Sequence, residues 1–259
     1  MLNGEIISNE PLKSGYFFVR FHAPEICATA RAGQFVHVRI AGLGQYILRR
    51  PFSIHSTDGD VLSVVYKVVG NGTEQLSRLM PGTVCDLLGP VGNPYTPPAD
   101  DEIPVLVGGG YGSAALYLLT RTAKQRGVLL LGARSEADLI LHDRYRDAGF
   151  DVRLATNDGS VGYKGFVTAL IPPLLEEYAG KKLRFYGCGP RPMLLALARQ
   201  LIELGQPGEI SLDHLMCCGV GACFACVVKV RSDDGNGWKY ARTCKDGPVF
   251  DARDVWLED

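Results

Sequence analysis

The spacing of apolar positions changes character along this chain. Through about residue 100, apolar and polar side chains alternate in short runs, at 16–21, 34–40 and 61–69, separated by clusters of Gly, Pro and Asp. A period of two is that of a half-buried strand, and several such runs predict a small antiparallel barrel or sandwich. From Glu102 the pattern changes. Strand-like blocks at 103–107, 128–131, 151–156 and 183–187 alternate with helix-like segments at 113–126, 136–148, 167–178 and 192–204. That alternation implies a parallel sheet with helices on both faces. Gly205-Gln206-Pro207-Gly208 reads as a linker, and beyond it residues 227–230 and 238–242 flank a turn at 232–237, a hairpin pattern. Three domains are expected, over residues 1–100, 101–207 and 208–259.

Composition narrows the class. With 259 residues and 46% hydrophobic content, the chain can bury real cores. A formal net charge of −1 gives no general reason to expect nucleic acid or an anionic membrane as partner. The opening Met1-Leu2-Asn3-Gly4-Glu5 lacks a basic and then apolar leader pattern, and no run approaches the roughly twenty apolar residues of a membrane span. A cytoplasmic location is expected. Of eight cysteines, Cys27, Cys85 and Cys188 are scattered and five cluster late in the chain, which suits a metalloprotein better than a disulfide scaffold.

That cluster carries the most specific chemistry. Cys218, Cys223 and Cys226 are spaced C-x4-C-x2-C, and Cys244 follows after seventeen intervening residues. Four thiolates in this arrangement hold the two irons of a plant-type [2Fe–2S] centre. Gly219 and Gly221 allow the loop to turn tightly and aim N–H groups at sulfur, and the hairpin returns Cys244 to it. A zinc site usually pairs two short two-cysteine elements, whereas here one element carries three and the other one. Cys217 as first ligand would make the spacing C-x5-C, so it reads as a flanking thiol.

Other signals lie earlier. In Arg49-Arg50-Pro51-Phe52-Ser53-Ile54, an Arg can grip a pyrophosphate bidentately and Ser53 offers a hydroxyl to a ring edge. Val65-Tyr66-Lys67 feeds a Gly-rich turn, Gly70-Asn71-Gly72-Thr73, at the head of a helix-like segment, a favourable place for phosphate. Gly108-Gly109-Gly110-Tyr111-Gly112 and Gly187-Cys188-Gly189-Pro190 each follow a buried strand and open a helix, where open α/β sheets bind ligands. His22, His37 and His55 have no metal-ligand spacing and read as structural. Arg134-Ser135 either meets a ribose 2′-phosphate or caps the next helix, leaving NAD and NADP both open.

Together these motifs resemble the ferredoxin-reductase superfamily and, more narrowly, the electron-transfer subunits of NAD-dependent class 1B dihydroorotate dehydrogenases. The resemblance spans essentially the whole chain. It implies a multidomain α/β plus β fold: an N-terminal antiparallel β-barrel flavin domain, a parallel α/β nucleotide-binding domain and a small C-terminal [2Fe–2S] domain. It implies that FAD contacts Arg50, Pro51, Phe52, Ser53, Val65, Tyr66, Lys67, Gly72 and Thr73. It implies that NAD(H) lies across Gly109, Gly110 and Cys188, although the family often has Pro where this chain has Ser113-Ala114-Ala115. The implied partner is an FMN-containing catalytic subunit, in a heterotetramer of two of each, that oxidises dihydroorotate in pyrimidine synthesis. No residue of this chain need act as a general base, and Val220, Phe224 and Val249 are either an apolar docking face or core of the small domain. The alternatives are the small subunit of a bifurcating ferredoxin–NADP enzyme, an oxygenase reductase, and a redox-sensing module without turnover.

Overall fold

The computed structural model describes residues 2–44, 48–212, 215–233 and 235–257; Met1 and the turn residue Asp234 lie outside them. The first lobe is a closed antiparallel barrel of β1 (Leu2–Pro11), β2 (Tyr16–His22), β3 (Phe35–Arg39), β4 (Arg50–Asp58), β5 (Val61–Lys67) and β6 (Val84–Val91), in the order β1-β2-β5-β4-β3-β6. The alternation seen in sequence sends Val19, Phe21, Val36, Val38, Ile54, Leu62 and Val64 into one core. The one-turn α1 (Pro24–Cys27) and α2 (Asn71–Ser77) flank it.

The second lobe is a seven-stranded sheet in the order β10-β9-β8-β7-β11-β12-β15. Its strands are β7 (Glu102–Gly109), β8 (Val128–Ala133), β9 (Asp151–Thr156), β10 (Tyr163–Lys164), β11 (Lys182–Cys188), β12 (Gly208–Ser211) and β15 (Val249–Asp251). All pairings are parallel except β12 with β15. Leu106, Leu129 and Leu131 on one face share the core that fills the barrel, while Val105, Val107 and Leu130 on the other pack with α4 (Ile171–Glu177) and α5 (Arg191–Glu203).

Two expected helices take other forms. The segment expected at 113–126 is a 3₁₀ helix, Gly110–Arg121. The one expected at 136–148 breaks into a 3₁₀ turn, Glu136–Asp138, and α3 (His142–Asp147). Leu139 and Ile140, at 1% and 2% exposure, fill the gap between them, and Ile140 packs with Tyr16, Phe18 and Val65 of the barrel. Burial between the lobes outweighs the propensity of a continuous helix.

The sheet also continues past residue 207. The expected linker residue Gly208 starts β12, which pairs with β11, and β15 then covers the outer edge of β12. The hairpin of β13 (Val227–Arg231) and β14 (Trp238–Arg242) springs from between these strands. Val228 and Val230 pack into the α5-side core with Ala252 and Val255. The cysteine segment is thus stitched to the nucleotide lobe at both ends.

Candidate functional site

Three sets of expected residues meet along the junction of barrel and sheet. The cysteine loop takes its shape from positive φ at Gly219 (71°), Gly221 (79°) and, unusually for a side-chain-bearing residue, Phe224 (59°). These turns aim backbone donors at sulfur: the Val220 N–H lies 3.5 Å from Cys218 Sγ, and the Gly221 N–H 3.2 Å from Cys244 Sγ. The hairpin supplies the return. Val227 pairs with Arg242, and the Thr243 N–H donates to the Cys226 carbonyl at 3.0 Å, which sets Cys244 beside Cys226. Cys226 and Cys244 are buried with Phe35 and Met216, whereas Cys223 is exposed and Cys217 and Cys218 are half-buried.

Arg242 braces the candidate site, and spacing did not reveal it. Its guanidinium makes two bonds to Asp246 and donates to the Gly221 carbonyl at 3.0 Å, clamping the loop to the second arm of the site. Burial pushes the Cys218 thiol up, but hydrogen bonds from Val220, Cys223 and Ala222 outweigh it and bring the thiol to about 6. Cys244 goes the other way, to about 12, through burial and the neighbouring Cys226. Backbone donors thus favour the thiolate at Cys218, while burial and the neighbouring thiol oppose it at Cys244.

The donor set fits an iron–sulfur cluster: the Thr243 N–H bond to the Cys226 carbonyl brings Cys244 beside Cys226, and the loop N–H groups of Val220 and Gly221 face the sulfurs of Cys218 and Cys244. Buried beside the loop, Thr243 Oγ1 has no hydrogen-bond partner, and the ring nitrogens of His37 make no hydrogen bond of ordinary geometry, although the Cys218 and Arg49 carbonyls lie nearby. His37 projects from β3 at 0% exposure. Burial, then Arg49, hold its imidazole down at about 4.

The flavin-motif residues divide between two places. Phe52 points into the barrel, while Ser53 on the same strand is exposed. The Arg50 guanidinium lies over Gly72 at the head of α2, where a Cβ would come 3.1 Å from Nε. The Thr73 hydroxyl accepts from the Val69 and Gly70 N–H groups and donates to the Gly70 carbonyl, so it braces this turn. Tyr66 stacks on Phe17 and donates to Asn9 Oδ1 at 3.0 Å, fixing the floor of the site. Val65 and Lys67 face the second lobe: Val65 packs on Ala114, and Lys67 Nζ lies 3.3 Å from Asp138 Oδ1 and 4.5 Å from the centre of the Tyr16 ring.

The two glycine turns of the sheet touch each other. Cys188 pairs with Gly108, and a Cβ on Gly109 would meet Pro190 at 2.6 Å, while one on Gly112 would meet the Cys188 carbonyl at 2.5 Å. Only glycine permits that approach. Gly110, at φ 54°, turns toward the Tyr16 hydroxyl, so Tyr16 stands between the nucleotide turn and Lys67. Tyr16 and Asp138 were missed in sequence because each belongs to the site only through the meeting of two lobes. Val220 and Phe224 are 51% and 61% exposed, but Val249 is a correction: at 6% exposure it is core, packed near Gly33.

Residues 213–256 match the iron–sulfur cluster binding domain of dihydroorotate dehydrogenase B. The chain is 39% identical over 233 residues to a Fusobacterium nucleatum subsp. nucleatum protein, dihydroorotate dehydrogenase B (NAD(+)), electron transfer subunit, covering 87% of both. It is 40% identical to the subunit of the same name from Geobacillus kaustophilus, covering 87% of this chain and 86% of that one. Among solved structures, an NADH-dependent reduced ferredoxin–NADP oxidoreductase superposes with a TM-score of 0.84 at 31% identity, covering 98% of this chain and 90% of that one. The ferredoxin reductase of carbazole 1,9a-dioxygenase shares the fold, with a TM-score of 0.65 at 22% identity over 79% of this chain and 66% of that one.

Proposed function

Because this chain belongs to the family of electron-transfer subunits of NAD-dependent dihydroorotate dehydrogenase B, we propose that it carries electrons between NAD(H) and an FMN-containing catalytic subunit that oxidises dihydroorotate to orotate in pyrimidine synthesis. The observation that carries this reading is the cysteine lobe, built into the same sheet that bears the nucleotide turns and docked on the barrel that bears the flavin motif. When bound, FAD exchanges a hydride with NAD(H) and single electrons with the [2Fe–2S] cluster.

The chain's own residues supply binding and position. Cys218, Cys223, Cys226 and Cys244 are the proposed cluster ligands, with the Val220 and Gly221 N–H groups stabilising sulfur charge. Arg50 and the head of α2 at Gly72 and Thr73 take the flavin pyrophosphate, while Pro51, Phe52, Ser53, Val65, Tyr66 and Lys67 hold the rest of that cofactor. Gly109, Gly110 and Cys188 receive NAD(H) at the carboxyl ends of β7 and β11. No side chain here is assigned a proton-abstracting role; substrate deprotonation belongs to the partner. Val220 and Phe224 present apolar surface beside the cluster loop for docking that partner, in an assembly of two copies of each subunit.

A second reading has its own support, the 98% coverage of this chain in the match to the ferredoxin–NADP oxidoreductase structure. One experiment separates the two. The isolated chain should reduce dyes with NADH and leave dihydroorotate untouched, and adding the FMN subunit should create NAD-dependent dihydroorotate oxidation. Turnover of dihydroorotate by the chain alone, or no association with that subunit in sedimentation, overturns the reading.

A further inference from the structure

His37 lies where two of these binding regions meet. In the β3–β4 register it stands opposite Pro51, and Phe35, two residues earlier on the same face, stands opposite Ser53. Both are therefore direct cross-strand neighbours of the flavin motif. On its other side the ring meets the cysteine loop. A Cβ on Gly219 would fall 2.4 Å from His37 Nδ1, so the glycine next to Cys218 is what admits the imidazole. The ring is fully buried, and neither nitrogen makes a hydrogen bond of ordinary geometry, although the carbonyls of Cys218 and Arg49 lie nearby. Leaving a buried polar group unpartnered is unfavourable, so such a group in a native core calls for an explanation. An apolar ring would fill the same space without that cost. Thr243 Oγ1, next to Cys244, is orphaned on the opposite arm of the same loop, which places both unsatisfied groups around the cysteines.

We propose that His37 is a positioning residue for the iron–sulfur centre, its Nδ1–H donating to the cluster loop at Cys218 once the cluster is assembled and so tying that loop to the flavin-bearing strands. The positive end of an N–H dipole held against the loop stabilises the extra electron of the reduced cluster, because outer hydrogen bonds around a centre tune its potential. His37 thus sets the driving force for the step between flavin and cluster without touching substrate.

The proposal rests on the ligand set given above, and iron and labile-sulfide analysis of the wild-type complex tests that set separately. In the assembled holoenzyme, His37→Phe should keep its iron and flavin but shift the cluster's reduction equilibrium about tenfold toward the oxidised form, about 59 mV for one electron. His37→Asn, whose amide N–H reaches the Nδ1 position, should restore most of that shift, while His37→Gln should not. An unchanged potential in iron-replete His37→Phe, or equal potentials in the Phe and Asn variants, overturns the proposal. Should the Phe variant lose its cluster, pulsed magnetic resonance on the reduced wild-type complex with isotope-labelled histidine decides. A coupled histidine nitrogen that disappears in His37→Asn supports the role, and the absence of any coupling refutes it.

Discussion

At the scale of single residues, charge and sulfur decide the cofactor set. Arg50 sits beside Gly72 with its guanidinium over the head of α2, and removing a bidentate charge-assisted contact costs about 2–3 kcal/mol. Arg50→Ala should therefore purify flavin-depleted, with affinity down roughly thirty- to 150-fold, while its iron content is unchanged. Flavin titration with iron analysis on one preparation checks this. The neighbouring cysteines give a sharper contrast. The Val220 N–H faces Cys218 Sγ, and the loop's donors favour the Cys218 thiolate. Cys218→Ser should abolish the visible absorbance of the cluster and Cys217→Ser should retain it. The reverse pattern refutes the ligand assignment.

At the scale of elements, the barrel and the sheet are locked by an aromatic stack around His55 of β4. Its Nδ1–H donates to the Ala114 carbonyl at 2.9 Å, its ring lies 4.6 Å from Tyr117, and Tyr117 meets Tyr145 edge-on. Burial drops the His55 pKa from 6.5 to about 4. The unfolded chain then binds a proton at higher pH than the folded one, so stability is lost as pH falls through the window from 6.5 to 4. The loss attributable to this group is at most about 3 kcal/mol. His55→Leu should be less stable at neutral pH, yet its unfolding free energy should fall less steeply across that window. Denaturant melts at a series of pH values measure the difference in slope, and parallel curves for the two proteins would count against it.

For the whole molecule, the exposed apolar side chains beside the cluster matter most. Phe224 projects from a positive-φ position with Arg242 5.4 Å from its ring, and Val220 lies half-exposed in the same loop. Replacing both by Glu should weaken association with the catalytic subunit at least tenfold, about 1.4 kcal/mol, because charge is then desolvated at the contact. NADH-driven dye reduction, flavin and iron should be unaffected in the isolated chain. Sedimentation of mixed subunits reads the first effect and dye kinetics the second. Loss of dye reduction would show instead that the two side chains support the cluster itself.

Much of this was legible in the residue order. The change of hydrophobic period marks barrel and sheet, because alternation and apolar blocks are local consequences of strand burial. The cysteine spacing specifies the chemistry of the third segment, since ligands drawn from one loop must be spaced to wrap one centre. What lay beyond it were properties set by distant neighbours. The helix-like 136–148 segment is broken because Leu139 and Ile140 fill a gap that exists only when the lobes meet. Val249 is core because β15 covers the edge of β12, and a sheet edge left open is a liability. Arg242 and His37 carry no motif, and their places beside the cysteine loop come from a hairpin and a barrel face brought together by folding. Spacing along a chain encodes what one segment can ligate or bury, and only packing decides which surfaces that segment meets.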